Sequence, residues 1–188
     1  SGQPCYYLLN PGGGYLDGDR YHLGISLLEN ARLTLTTQSA TKIYKTPNTP
    51  AYQETEISLK KGSYLEYIPD PLIGYEHARY DQKTVIRMEK GASLLYCDSV
   101  TPGWSPEGTL FSYDTLRLRT EIYMDGELAV YDHIKLQPAG QPVDGLGFLE
   151  GYTHLGSMLF IGEEADAGLL DELYSAVHPE PDGVRIGM

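Results

Sequence analysis

The sequence is poor in positive charge. Lysine and arginine together number 14, against 26 aspartate and glutamate residues, which gives a net charge of −12. Proteins that bind nucleic acid need positive charge against the phosphates, so this balance argues against a nucleic-acid partner. The same acidity suits a protein that attracts cations or meets a basic partner.

Long apolar runs, cysteine pairs and an N-terminal signal peptide are also missing. No apolar run approaches the roughly 18–20 residues that a membrane-spanning helix needs. We therefore expect a cytoplasmic protein with no membrane partner. Cys5 and Cys97 lie far apart and form no CxxC pair, which favours two reduced thiols over a disulfide.

Phenylalanine and tryptophan are scarce, at 3 and 1 residues, whereas tyrosine occurs 16 times. Tyrosine packs its ring and keeps its hydroxyl hydrogen-bonded or wet, which suits sheets and interfaces. The length of 188 residues fits one domain. The chain begins at Ser1 without Met, almost immediately enters the apolar "CYYLL", and stops at "GVRIGM", which resembles the beginning of a strand. We therefore predict a single domain over residues 1–188 that is truncated at both ends.

Three segments of the first half repeat one pattern, with starts spaced by 57 − 25 = 32 and 86 − 57 = 29 residues. Each has isoleucine first, asparagine or glycine sixth and leucine ninth, with apolar alternation on both sides of the turn residue. This pattern predicts strand, tight turn, strand. The matched positions are Ile25, Ile57 and Ile86, then Asn30, Gly62 and Gly91, then Leu33, Leu65 and Leu94.

A looser fourth copy begins at Ile122 and has Asp125 and Gly126 at its turn. Repeats about 30 residues apart are typical of stacked units that bury one another. We therefore predict a mostly β fold, a β-helix-like or solenoid stack of strands with about one or two helices. The best helix signal covers residues 163–177, with acids in its first turn and an apolar stripe behind them.

Signatures of nucleotide binding and of nucleophilic catalysis are missing. The run from Gly12 to Gly14 lacks the Gly-Lys-Ser/Thr of a phosphate loop and is followed by Asp17 and Asp19, so it predicts a turn. Ser39 and Lys42 match the spacing S-x-x-K, but the companion motifs of that enzyme class do not occur.

Two groups of side chains are weak metal-ligand candidates. His77 and Asp81 fall in "EHARYD", and His133 falls in "YDHIK". No two histidines have a metal-binding spacing, although a fold can gather distant ligands. The other interpretation of both groups is a solvated or salt-bridged strand end.

Carboxylates at corresponding places in the repeats raise an enzymatic alternative. Glu66, Asp70 and Asp98 fall at or just beyond the ends of the second and third repeats, so they could converge. Two carboxylates flanking one bond are what glycoside hydrolysis requires. A β-solenoid carbohydrate-active enzyme is therefore the alternative function, although one tryptophan and no row of stacking aromatics argue against a sugar cleft.

A polar block, "TLTTQSATKIY" at residues 34–44, follows a strand-like run. It has no acid, histidine or cysteine, so by itself it cannot hold a metal or perform acid–base chemistry. Small hydroxyl side chains suit a strand bend, where they satisfy local hydrogen bonds. The block is therefore either a corner ladder, meaning a row of mutually hydrogen-bonded polar side chains at a corner of the solenoid, or the lining of a polar interior.

Taken in order, several motifs resemble the UreD (UreH) family of urease accessory proteins. They are "GGGYLDGD", "LTTQSATKIYK", "LEYIPDPLIGYEHARYDQKT", "GASLLYCDSVTPGWSPEG" and "DGELAVYDHIKL", and they run from about Asn10 to about Pro138. Asp98 stands where many members carry glutamate, and Trp104 stands where others carry arginine. Members extend beyond both ends of this chain.

The resemblance implies a non-catalytic function in metalloenzyme maturation. Such proteins bind the urease apoprotein and recruit UreF, which carries the GTPase UreG, for nickel insertion. The implied fold is β-helix-like, and a water-filled passage for transient Ni²⁺, with no tightly bound cofactor, has been proposed for the family. The candidates for lining such a passage or meeting a partner are Thr37, Gln38, Ser39, Thr41, Lys42, Glu66 and Asp98.

Overall fold

The computed structural model describes residues 2–178 and 183–187, which form twelve β-strands and one α-helix. In chain order these elements are β1 (Cys5–Leu8), β2 (Arg20–Leu27), β3 (Arg32–Thr37), β4 (Thr41–Ile43), β5 (Ala51–Leu59), β6 (Tyr64–Ile68), β7 (Leu72–Gly74), β8 (Arg79–Met88), β9 (Ser93–Val100), β10 (Thr115–Met124), β11 (Glu127–Leu136), β12 (Leu155–Ile161) and α1 (Ala167–Val177).

The strands form two sheets. One sheet has the order β1-β3-β6-β9-β7-β4, with β12 also paired to β9, and the other has the order β11-β10-β8-β5-β2. The chain passes from one sheet to the other and back, so successive passes stack in parallel as a β-solenoid of about four turns. The predicted mostly β, solenoid-like fold is confirmed.

Each repeat of the sequence corresponds to one turn of the solenoid, which we call a coil. Ile25, Ile57 and Ile86 are neighbours in register on β2, β5 and β8, and Ile122 of β10 extends the row. All four side chains are buried in one core cluster. The predicted isoleucine layer is therefore confirmed, and the fourth, looser copy supplies its last member.

The leucine layer is also confirmed. Leu33, Leu65 and Leu94 are in register on β3, β6 and β9, and Ile161 of β12 pairs beside Leu94. Leu65 and Leu94 are fully buried, and Leu33 is partly buried against the same cluster. The two layers face each other because β2, β5 and β8 lie in one sheet and β3, β6 and β9 lie in the other.

The predicted turn residues form one corner of the solenoid. Asn30, Gly62 and Gly91 have positive φ angles of 60°, 72° and 84°, a conformation that glycine and asparagine adopt most readily. Each of these turns carries the chain from one sheet to the other. The fourth copy differs, since Asp125 and Gly126 turn β10 back on itself as an antiparallel hairpin with β11.

A polar band lies in the interior between the apolar cluster of the isoleucine and leucine layers and a second apolar cluster, which includes Ala51 and Leu116, at the other end of the same strands. Thr55, Thr84 and Thr120 form a buried layer in register across β5, β8 and β10. The next inward layer contains Gln53 and Gln82. Amides and hydroxyls inside a protein need hydrogen-bond partners, and these partners lie in the cavity described below.

The helix differs from its prediction. It begins at Ala167 rather than residue 163, because the Asp166 carboxylate caps it by accepting the Leu169 N–H at 2.9 Å. Its first turn carries no acid, and Leu170 and Tyr174 are exposed. Among the described residues no helix is long and apolar enough to cross a membrane. Residues 183–187 form no strand, and Met188 lies outside the described residues.

Candidate functional site

The polar block forms a break in the first sheet. Thr37 ends β3 and Thr41 begins β4, and the residues between them bend away from the strand direction. The next coil breaks at the same place, between β6 and β7 at Pro69, Asp70 and Pro71. The third coil does not break, since β9 runs without interruption from Ser93 to Val100.

Thr37 and Asp70 hold the two breaks together. The Thr37 hydroxyl donates to Asp70 Oδ2 at 2.8 Å, and the Asp70 backbone N–H donates back to Thr37 Oγ1 at 2.8 Å. The Gln38 and Thr41 backbone N–H groups donate to the carbonyls of Leu8 and Pro71, each at 3.1 Å. This part of the polar block therefore has the hydrogen bonding expected of a corner ladder.

A cavity of about 310 Å³ opens beside the breaks and reaches the inner face of β9. Its lining includes Thr37, Ser39, Thr41, Lys42, Asp70 and Asp98. Gln38 is exposed and is not part of this lining, so five of the seven residues predicted for a passage line the cavity. Glu66, the other candidate that does not line the cavity, accepts hydrogen bonds from Thr34 and Tyr64 at 2.7 and 2.8 Å on the outer face of β6.

The glycine run borders this cavity. Gly12, Gly13 and Gly14 are all part of its lining. A Cβ atom on Gly14 would lie 2.7 Å from both the Lys42 carbonyl oxygen and the Tyr44 ring. The loop therefore approaches β4 at a distance that only glycine allows, which is a packing reason for this glycine.

Asp98 is the carboxylate at the inner end of the cavity. Gln82 Nε2 donates to its Oδ1 at 3.4 Å, and the Tyr96 hydroxyl donates to its Oδ2. Burial raises the pKa of Asp98 to about 6; the two hydrogen bonds oppose this shift, and the charge of Asp132 adds to it. At neutral pH this carboxyl is mostly ionised, and its two hydrogen-bond donors, Gln82 and Tyr96, are uncharged.

The same wall contains further tyrosine–glutamine hydrogen bonds. The Tyr80 hydroxyl contacts Gln53 Oε1 at 3.4 Å and Gln82 Oε1 at 3.2 Å, and the Tyr15 hydroxyl also donates to Gln53 Oε1. Burial raises the pKa of Tyr80 far above its ordinary value, so its hydroxyl keeps its proton. The sequence prediction missed this network, although Gln53 and Gln82 interrupt the apolar alternation of their strands.

The three weak metal-ligand candidates lie outside the cavity. His77 Nδ1 is 3.2 Å from Asp114 Oδ1, Asp81 pairs with Arg117 at 3.1 Å, and His133 is exposed on β11. In the part of the chain that the structure describes, no three histidine, cysteine or carboxylate side chains are placed to hold a metal ion. The contacts of His77 and Asp81 are those of salt-bridged strand ends.

Three aromatic side chains of successive coils lie next to one another. The ring centroids of Tyr44 and Tyr75 are 5.0 Å apart and those of Tyr75 and Trp104 are 4.8 Å apart. The rings are inclined to each other by 73° and 36°, so neither pair is stacked face to face.

Comparison with known proteins assigns the sequence to a family. The sequence model described as "UreD urease accessory protein" matches residues 1–188. The chain belongs to the UreD family. A UreD urease accessory protein of Lachnoclostridium phytofermentans is 50% identical over 186 residues, covering 99% of this chain and 68% of that protein.

Two more UreD proteins are similar to this chain over most of its length. The protein of Bacillus sp. is 44% identical over 185 residues, covering 98% of this chain and 68% of its own length. The protein of Staphylococcus epidermidis is 44% identical over 174 residues, covering 93% of this chain and 63% of its own length. UreD proteins are non-catalytic accessory proteins of urease maturation, so the carbohydrate-enzyme alternative is not supported.

Proposed function

We propose that this chain is a scaffold that binds the urease apoprotein and recruits UreF and, through UreF, the GTPase UreG, so that nickel enters the urease active site. Membership of the UreD family supports a role in urease maturation. Binding to the urease apoprotein, to UreF and, through UreF, to UreG is what we propose for this chain.

We further propose that Ni²⁺ travels through the cavity beside the polar block. The observation that carries this proposal is the composition of the wall. Its donors are scattered hydroxyls and amides, the separate carboxylates of Asp70 and Asp98, and the single imidazole of His22. Nickel binds tightly to gathered nitrogen, sulfur and carboxylate ligands, whereas an ion in transit needs sites weak enough to leave. The net charge of −12 favours entry of a cation.

Five of the seven candidate residues line the cavity. Ser39, Thr41 and Lys42 line the cavity beside the break, and Asp98 lies at its inner end. Thr37 ties the break to Asp70 and thereby keeps the opening in shape. Gln38 and Glu66, which do not line the cavity, remain candidates for contact with a partner protein.

The test narrows the cavity with a bulky side chain at Ser39, an exposed residue of its lining. Ser39→Tyr places a bulky side chain in the cavity lining, and Ser26→Tyr makes the same change at an exposed position on the edge strand β2. The readouts are co-purification with UreF and with urease apoprotein, and nickel-dependent urease activity in cells. We expect Ser39→Tyr alone to lower urease activity while both complexes still form.

The outcomes separate the two parts of the proposal. Normal urease activity with Ser39→Tyr would reject the passage and leave the scaffold role. Loss of complex formation with Ser39→Tyr alone would make the polar block a partner surface instead. Failure of the unaltered protein to co-purify with either partner would reject the scaffold role itself.

A further inference from the structure

We propose that the Tyr96 hydroxyl sets how tightly the cavity holds a divalent cation, by occupying the Asp98 oxygen that the ion would otherwise bind. Tyr96 is then a positioning residue that keeps the inner carboxylate from becoming a nickel trap. This inference rests on the proposed nickel passage and names the group that keeps the passage weak.

The first observation is that both oxygens of Asp98 already have donors. Gln82 Nε2 reaches Oδ1 at 3.4 Å, and the Tyr96 hydroxyl donates to Oδ2. Hydrogen bonds to an ionised group are stronger than those between neutral groups. A cation that coordinates Asp98 must therefore displace at least one of these donors.

The second observation is that the Tyr96 hydroxyl has a second partner besides Asp98. The Thr84 hydroxyl lies 3.4 Å from the Tyr96 hydroxyl. A phenolic hydroxyl has one proton and can also accept, whereas an ionised carboxylate can only accept. Tyr96 therefore gives its proton to Asp98, and the buried Thr84 hydroxyl is the group placed to donate to the Tyr96 oxygen.

The third observation is that the arrangement recurs along the wall. The hydroxyls of Tyr15 and Tyr80 occupy Gln53 Oε1, and Tyr80 also contacts Gln82 Oε1. Burial raises the pKa of Tyr96 and Tyr80 well above the ordinary tyrosine value, so both remain donors at neutral pH. Tyrosine hydroxyls therefore lie on the two glutamine oxygens and on Asp98, whereas Asp70, the other carboxylate of the lining, accepts from Thr37.

Exposing that charge would change the affinity for metal. A buried carboxylate that loses a hydrogen-bond donor is left with a desolvated, less compensated charge. A divalent cation restores the compensation, so its binding becomes more favourable. The wall would then hold nickel where it now lets the ion leave.

The experiment measures nickel binding to the purified chain by isothermal titration calorimetry with NiCl₂, at about pH 8 so that Asp98 stays ionised. Tyr96→Phe removes the hydroxyl and keeps the ring. We expect the dissociation constant for nickel to fall about tenfold, the equivalent of one lost charged hydrogen bond. Tyr96→Phe combined with Asp98→Asn should restore the original affinity.

Tyr67→Phe is the matched control. Its ring lies beside Tyr96 with centroids 5.8 Å apart, and among the described contacts its hydroxyl makes no hydrogen bond to Asp98. This change should leave nickel affinity unaltered. General damage to the fold would weaken binding, so tighter binding in Tyr96→Phe alone distinguishes the proposed role from a merely structural one.

Two results would overturn the proposal. One is an unchanged or weaker nickel affinity in folded Tyr96→Phe. The other comes from Asp98→Asn alone, which remains informative if Tyr96→Phe fails to fold. If Tyr96 covers Asp98, this variant should keep nickel affinity within about twofold of the original, whereas a loss of binding would show that Asp98 already holds the ion. Urease activity in cells is scored separately, since tighter nickel binding without a change in activity would reject the passage and keep the role of Tyr96.

Discussion

The two halves of the solenoid interior are built from the same strands and yet differ in chemistry. Toward the corner of Asn30, Gly62 and Gly91, the inward layers are isoleucine, leucine and methionine. Toward the broken strands, a band of inward threonine and glutamine, with Asp98 among them, separates this region from a second apolar cluster that includes Ile43 and Leu72. The strands remain in register through both halves.

This difference separates what stabilises the fold from what is available for function. Stacked apolar layers bury surface continuously from coil to coil and tolerate the repeat of one residue type. The polar half needs partners for each amide and hydroxyl, and its hydrogen bonds also surround a cavity. Three substitutions test this division, and we expect their effects to decrease in the order given.

The largest effect is expected in the apolar half. Leu65 is fully buried between two coils, so Leu65→Ala removes core contacts and leaves a cavity. We expect the free energy of unfolding to fall by about 2–5 kcal/mol, as measured by urea denaturation. Ile68→Ala on the same strand is the control, because Ile68 is 40% exposed. Equal losses for the two variants would contradict the assignment of Leu65 to the core.

The second effect is a pH dependence from the polar half. The pKa of Asp98 is raised from 3.8 to about 6 on folding, so the folded protein binds this proton more tightly than the unfolded chain. Its contribution to stability is present below about pH 4 and is lost as the pH rises through about 6.

Asp98→Asn replaces this group with one that stays neutral. Relative to the original protein, the variant should gain up to roughly 3 kcal/mol in free energy of unfolding between about pH 4 and pH 7. Chemical denaturation at a series of pH values measures this difference. Parallel stability curves for the two proteins would show that Asp98 is not desolvated in the fold.

The smallest effect is expected at the break. Thr37→Val removes the hydroxyl that exchanges hydrogen bonds with Asp70, and we expect a loss of about 1 kcal/mol in thermal or urea unfolding. Gln38→Leu, at the exposed neighbouring position, should stay within about 0.5 kcal/mol of the original. If the order is reversed, the polar block is not held by the Thr37–Asp70 pair.

The apolar half was readable in the sequence because its residues repeat. Ile57 and Ile86 occupy equal positions in similar segments, so their shared layer follows from periodicity alone. Gln53 and Gln82 also occupy equal positions, 82 − 53 = 29 residues apart, and this second repeat could have predicted the polar layer. These glutamines lie four residues before the isoleucines, outside the segments in which the isoleucine, glycine and leucine positions repeat.

The cavity itself was less predictable. The polar block indicated a bend, but nothing local to Thr37 indicates that it pairs with Asp70, which lies 33 residues further along the chain. Glu66 and Asp98 each lie near the end of a repeat, which predicted that they converge. Glu66 instead lies on the outer face of β6, because side chains alternate along the strand and the inward positions belong to Leu65 and Tyr67. The helix start was misplaced because Asp166, rather than the earlier acids, is the capping residue.

The antiparallel pairs at one end of the stack have a consequence for how the number of coils can change in evolution. β11 and β12 run against β10 and β9, whereas every earlier coil runs parallel to the next. A duplicated coil inserted between the second and third would meet parallel partners on both sides and lengthen the protein by about 4.8 Å. The same duplication after β10 would separate a hairpin strand from its partner. We expect gene duplications that add coils to this architecture to fall before β10.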